Sequence, residues 1–343
     1  MMITNEKAAN KDMPPGNTGE ILKYITPEIR SVLMNAAGLS LLYIEEIRLR
    51  AGKPLILSDH MGDWFVDTHG IISKTVKDAL TVSQYHIMKT LEMMSENSIY
   101  AYQEDIKNGF LTLKGGHRVG ICGKVVAEGG SIKNIKDISS LSIRVSRQVK
   151  GCSEKIFKFI TDKSGDLHNT LLVGPPQCGK TTILRDIIRA ASDGCFAGGR
   201  CFKTGVVDER SELCACYKGA AQYDMGIRTD ILDSCPKDCG MTMLVRSMSP
   251  EVIVTDEIGN TGDRDAVFRV INAGVKIITS AHGYSVSDLR TRREVLSLME
   301  EKAFERYVVL SRANGPGTIE EVVDGCLKII YKRTEYDKRA GAV

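Results

Sequence analysis

Apolar positions change their spacing near the middle of the chain. In the first half they follow mixed periods. "EILKYITPEIRSVLMNAAG" (20–38) carries apolar residues at three- and four-residue intervals and stops on Gly38, which predicts a helix. "YIEEIRLRAGKPLILSD" (43–59) predicts strand, turn and strand. "TVSQYHIMKTLEMMSENSIYAY" (81–102) predicts a helix with its Ile and Met face inward. "GFLTLKGGHRVGICGKVVAEGGSIKNI" (109–135) breaks short apolar runs with Gly, as hairpin strands do. From Leu171 the pattern becomes uniform. "TLLVG", "TGVVDE", "EVIVTDE" and "VKIITSAHG" are apolar, β-rich runs that end in small, polar or charged residues, with helical stretches between them. Strands alternating with helices predict a parallel sheet covered on both faces, with its ligand at the carboxyl ends of the strands. The expected organisation is a polar tail over 1–19, an α+β domain over 20–148 and an α/β domain over 149–343, joined near "SRQVKGCSEKI".

Composition narrows the classes. A chain of 343 residues with 43% hydrophobic and 26% charged content is ordinary globular protein, long enough for two domains. A net charge of +3 gives no argument by itself for a nucleic-acid partner. No apolar run approaches the ~18 residues that span a bilayer. The start, "MMITNEKAANKDMPPG", lacks the apolar stretch of a secretory signal. The expected location is the cytoplasm, with any membrane attachment made through a partner. The ten cysteines are spread along the chain and read mostly as reduced thiols. Cys214, Cys216, Cys235 and Cys239 form a looser cluster, open to metal binding or to simple packing.

The chemistry starts at "GPPQCGKT", which fits G-x-x-x-x-G-K-[ST] in full: Gly174, Pro175, Pro176, Gln177, Cys178, Gly179, Lys180 and Thr181. It follows an apolar run and opens "TTILRDIIRAA", the strand–loop–helix context that a P-loop requires, with Thr182 next in the helix. Its backbone N–H groups and helix N-terminus would face a phosphate chain. Lys180 would reach the β- and γ-phosphates of ATP, and Thr181 would coordinate Mg²⁺.

A second signal is "EVIVTDEIG". Asp256 and Glu257 end a strand of buried type, where acids are costly unless they face metal or water. Asp256 is the candidate for the Mg²⁺ shell and Glu257 for polarising the attacking water. Asp208, Glu209 and Glu212 follow the second run, and Ser280 and His282 the fourth. His282 either senses a γ-phosphate or caps its strand.

In this order the pieces resemble the RecA-like ATPases of type II and type IV secretion and pilus systems, which carry a P-loop, an acidic box, a Walker B segment and a His box. "SMSPEVIVTDEIGNTGDRDAVFRVINAGVKIITSAHG" parallels their Walker B-to-His-box stretch, and "EEIRLRAGKPL" and "SLSIRVSRQVKG" resemble segments of their N-terminal domain. The resemblance implies a RecA-like P-loop ATPase domain preceded by a smaller α+β domain. It gives Glu257 the Walker B glutamate role, Glu209 the acidic-box role and His282 the His-box role. "GPPQCGKTTILRDIIR", "VVDERSE", "GIRTDILDSCPK" and "NGPG" are similar to the sporulation members of that superfamily in endospore-forming bacteria. Two features depart from the pattern: Thr255 stands where an aliphatic residue is expected, and the Cys214/Cys216 pair is unusually rich in Cys. The narrower resemblance implies a homo-oligomer, a hexamer, on the mother-cell side of the assembly linking mother cell and forespore. It would be recruited there by membrane proteins of that channel complex, without a nucleic-acid partner.

Between Lys107 and Lys150 nine Lys/Arg face two acids, Glu128 and Asp137. These cations could be solvated, bind an anionic polymer or lipid, or complete the ATP site of an adjacent subunit. For the last role Arg144 and Arg147 are the candidates that the resemblance implies, with Arg118 close by. Arg246, Arg228 and Asp230 read as structural ion pairs or as relays. Two other functions share the same core: a nucleic-acid-stimulated translocase and a ring locked by bound nucleotide.

Overall fold

In a computed structural model the chain is described over residues 17–36, 44–196 and 198–334. Most of the expected polar tail, and the Gly38 stop, lie outside these residues. Pro27 divides the first helical stretch, because its ring cannot continue a helix but fits a first turn. The result is α1 (Asn17–Leu22) and α2 (Pro27–Met34). There follow β1 (Glu46–Arg50), β2 (Lys53–Pro54), β3 (Ile56–Asp59), β4 (Gly62–Val66), β5 (Ile72–Ser73) and β6 (Thr81–Val82). The helix expected over 81–102 is shorter: α3 runs Gln84–Met94. Ser83 and His86 cap its start reciprocally, and Glu96 and Asn97 at φ 50° and 61° break it. A 3₁₀ turn, Ile99–Tyr102, leads to α4 (Gln103–Lys107), β7 (Phe110–Thr112), β8 (Arg118–Glu128) and β9 (Ser131–Arg144).

The described chain parts into two units between Arg147 and Gln148. The first holds an antiparallel sheet in the order β5-β4-β3-β1-β9-β8-β7. Its strands alternate in burial: in β1, Ile47 and Leu49 enter the core while Glu46, Arg48 and Arg50 are partly exposed. Ile29 and Leu33 of α2 and Ile87 and Leu91 of α3 belong to the same core.

The second unit continues with α5 (Glu154–Ile160), β10 (Thr170–Val173), α6 (Lys180–Asp193), β11 (Thr204–Asp208), β12 (Thr229–Asp233), α7 (Lys237–Ser247), β13 (Val252–Glu257), α8 (Thr261–Asn272), β14 (Lys276–Ala281), α9 (Arg293–Glu300), β15 (Arg306–Ser311), β16 (Thr318–Asp324) and β17 (Ile329–Lys332). The sheet order is β12-β11-β13-β14-β10-β15-β16-β17. The strands from β12 through β15 pair in parallel, and β16 and β17 add an antiparallel edge. Each strand feeds two cores. Leu172, Val206, Val254 and Ile278 face the side of α5 and α6, whereas Leu171, Val207, Ile253 and Ile277 face the side of α7, α8 and α9. Double coverage explains why these runs are mostly apolar. Thr255, the departure from the aliphatic pattern, is fully buried and donates to the Val207 carbonyl at 2.9 Å, so its hydroxyl is satisfied.

Candidate nucleotide site

The loop from β10 to α6 is shaped by what its glycines lack. A Cβ on Gly174 would lie 2.4 Å from Cys178 Sγ. Gly179 has φ 96°, and a Cβ there would stand 3.1 Å from the Gly317 nitrogen. Gln177 also has positive φ, 60°. The turn is closed by Gly317 N–H, which donates to Cys178 O at 2.7 Å, and by Arg312, which donates to Gln177 Oε1 at 3.3 Å. Gly179 is the N-cap of α6 and provides no side-chain acceptor, so the first N–H groups of a 14-residue helix point out of the loop. Pro176 and Gln177 are exposed, Pro175 and Thr182 partly so, and Cys178 is in the core.

Lys180 folds back over this loop. Its ammonium donates to Gly174 O at 2.7 Å and Pro175 O at 2.9 Å, and lies 3.3 Å from His282 Nδ1. Burial lowers its pKa, the nearby Glu257 partly countering this. A lysine ammonium only donates, so Nδ1 of His282 accepts and the Nε2–H is left to donate. Its partner is Glu257, 2.7 Å away, and Arg292 reaches the other oxygen of that carboxylate at 3.4 Å. Lys180, His282 and Glu257 thus form one continuous chain.

Asp256 and Glu257 are adjacent in sequence, and in a regular strand they would face opposite sides. A register shift between Val254 and Glu257 against β14 bends the end of β13, and both carboxylates line one cleft. Burial raises the pKa of Asp256, and Lys237 at 2.9 Å opposes that rise. Lys237 also pairs with Glu209. Burial would lower the pKa of Lys237, but its two carboxylate partners outweigh it and raise the value.

The acidic segment after β11 divides. Glu209 faces the cleft, whereas Asp208 is fully buried and accepts the N–H groups of Glu212, Leu213 and Cys214 at 2.8–2.9 Å. Asp208 therefore holds the loop from which Glu209 projects. Burial pushes its pKa up to about 6 in spite of the three donors.

The cleft has a volume of about 710 Å³, and Thr181, Glu209, Lys237, Asp256, Glu257 and His282 all line it. The Thr181 hydroxyl and Asp256 carboxylate are hard oxygen donors of the kind magnesium takes, and both line the cleft. These residues fit the metal. Pro316 is shared with a second hollow of about 420 Å³ lined by Phe159, Asn314 and Tyr331.

Other sequence candidates lie elsewhere. Arg144 and Arg147 belong to the first unit. Arg144 stands between Glu46 on β1 and Arg118 on β8, and Arg118 lies over the Phe110 ring at 3.8 Å. Arg147 donates to Ile44 O at 2.8 Å. Arg228 donates to Ser192 O at 3.0 Å, a structural contact, and Arg246 is exposed on α7. Cys214 and Cys216 are buried, Cys235 is half-buried and Cys239 exposed. Among the described residues no group of three or more His, Cys, Asp or Glu side chains is arranged to hold a metal ion.

Lys237 and Arg292 did not emerge from the sequence. For Lys237 a signal existed: a lysine directly after Pro236 at a helix start, where a cation opposes the helix dipole. Arg292 offered none.

Residues 16–328 match the family described as Sporulation stage III, protein AA. The chain is 42% identical over 315 residues to stage III sporulation protein AA of Bacillus subtilis, covering 92% of this chain and 98% of that one. Among solved structures, the pilus retraction motor PilT with bound ADP superposes with a TM-score of 0.52 at 12% identity, over 92% of this chain and 84% of that one. The Yersinia pseudotuberculosis ATPase DotB gives 0.50 at 12% identity, over 87% and 77%. These two likenesses show a shared RecA-like fold.

Proposed function

The chain belongs to the Sporulation stage III, protein AA family, and from that premise we propose that it is a magnesium-dependent ATPase. The observation that carries this reading is the chain Lys180–His282–Glu257 across the mouth of an uncapped P-loop. The ammonium that would take the β- and γ-phosphates and the carboxylate that would direct water are tied to each other through one imidazole.

On this reading the triphosphate binds at the N–H groups of the 174–181 loop. Lys180 leaves the Gly174 and Pro175 carbonyls for the phosphates. His282 then loses its acceptor contact with Lys180, and its hold on Glu257 loosens. The freed Glu257 accepts a hydrogen bond from water and takes its proton as the water oxygen bonds to the γ-phosphorus and the bond to ADP breaks. Thr181 and Asp256 are the residues that would hold magnesium, which when bound offsets the charge of the phosphate oxygens. Arg292, on the second oxygen of Glu257, orients that carboxylate. The nucleoside would extend toward the hollow of Phe159 and Tyr331.

The wider reading is a ring, a hexamer, attached to membrane proteins of a sporulation channel complex. Arg144 of the first unit would then reach the ATP of an adjacent subunit, where a trans arginine contributes on the order of 10³–10⁵ in rate. Among the described residues no helix is long and apolar enough to cross a membrane, so attachment would run through a partner. Phosphate release by the purified full chain tests the core of the proposal. Lys180→Ala is expected to abolish it, and Glu257→Gln to bind ATP without turnover. Unchanged turnover in both variants would sink the proposal.

A further inference from the structure

Lys237 is a cleft residue to which the reaction above gives no part. It is the first residue of α7, behind Pro236. A helix N-terminus already carries partial positive charge, so a cation is disfavoured there. The side chain is also buried, with 6% exposed. Gly240 brings it where it stands: a Cβ on Gly240 would meet Val207 Cγ1 at 2.6 Å, so α7 lies close on β11 and its first turn reaches that strand's end. There the ammonium bridges Glu209 and Asp256, which come from the ends of two different strands. A local rule broken to hold two carboxylates together marks a functional role more than a packing one.

We propose that Lys237 is a built-in counter-ion that competes with magnesium for Asp256 and so makes metal binding depend on nucleotide. This rests on the ATPase reading, in which Asp256 and Thr181 hold the metal. A divalent cation arriving alone meets a carboxylate already neutralised and an ammonium that repels it. A metal arriving with triphosphate brings its own negative charge and meets less repulsion. When the metal takes Asp256, the ammonium keeps Glu209. Lys237 is thus a positioning residue, and its effect falls on metal affinity before any chemistry.

The test is a titration of the full chain with Mn²⁺ in the absence of nucleotide, with free Mn²⁺ read by electron paramagnetic resonance. Lys237→Gln removes a unit positive charge beside the metal and is expected to bind Mn²⁺ about tenfold more tightly than the wild type, and Lys237→Arg to match the wild type. Equal or weaker binding by Lys237→Gln overturns the proposal, since a lysine that merely holds the carboxylates in place would give that result. Should Lys237→Gln fail to fold, the wild-type chain answers through reductive methylation. Saturating Mn²⁺ alone should raise the labelling rate of Lys237 as the ammonium leaves Asp256, and an unchanged rate overturns the proposal. Failure of the ATPase reading is seen separately, as nucleotide binding that Lys180→Ala does not weaken.

Discussion

His117 gives the first unit a pH dependence that can be worked out in advance. Its side chain is fully buried. Nδ1 accepts the Ser146 N–H at 3.1 Å, and Nε2 makes no hydrogen bond, to Glu20 or otherwise. Burial lowers its pKa to about 4. In the unfolded chain the value is about 6.5. As pH falls, the unfolded state takes up the proton first, so stability present above about pH 6.5 is lost progressively toward pH 4. Between pH 7 and pH 5 this loss is about 2 kcal/mol. Trp64, the one tryptophan of the chain, lies on β4 of the same unit and reports its unfolding. Urea unfolding followed by Trp64 fluorescence, at both pH values, should show the wild type losing about 2 kcal/mol more than His117→Gln. The difference between the two slopes cancels any constant effect of the substitution and the titration of other groups. Parallel losses in the two proteins would refute the reasoning and would mean that a charged imidazole is accommodated, for instance by Glu20. The residue matters beyond stability because the next one is Arg118, which opposes Arg144 across β8 and β9.

Gly179→Ala would put a side chain at φ 96° and a Cβ 3.1 Å from Gly317 N. Strain of about 1–2 kcal/mol should distort the loop and weaken ATP-analogue binding, measured by calorimetry, by about tenfold or more. Asp208→Ala would orphan three backbone N–H groups, and a loss of about 2–3 kcal/mol or more is expected in denaturant unfolding of the second unit. The same variant should weaken nucleotide binding far less than Lys180→Ala, because Asp208 faces away from the cleft.

What the sequence revealed depended on how local the cause was. The strand, loop and helix around 174–181 are dictated by neighbours in the chain, and the loop glycines occupy positions where a Cβ would collide. The Val252–Glu257 strand was visible because both sheet faces are covered, which makes its first three positions, Val252, Ile253 and Val254, apolar before Thr255 and the acids. β12 was hidden in "GIRTDILD", whose partly exposed edge alternates weakly. The helix expected to reach Tyr102 stops at Met94 because Glu96 and Asn97 take left-handed conformations that propensity does not forecast. Asp208 and Glu209 look equivalent in "VVDERSE", and only the fold of the following loop sends one inward and the other to the cleft. Lys237 was overlooked beside the cysteines of "CPKDC", since its partners lie 28 and 19 residues away, at the ends of β11 and β13.

The central claim is that the Lys180–His282–Glu257 chain is broken by the triphosphate. A crystal structure of the full chain with magnesium and a nonhydrolysable ATP analogue tests it most directly. The account predicts the phosphates on the 174–181 loop, Lys180 Nζ on phosphate oxygens instead of the Gly174 and Pro175 carbonyls, and Glu257 turned toward the γ-phosphate. A ligand bound elsewhere, or Lys180 still on those carbonyls with Glu257 still on His282, would contradict it.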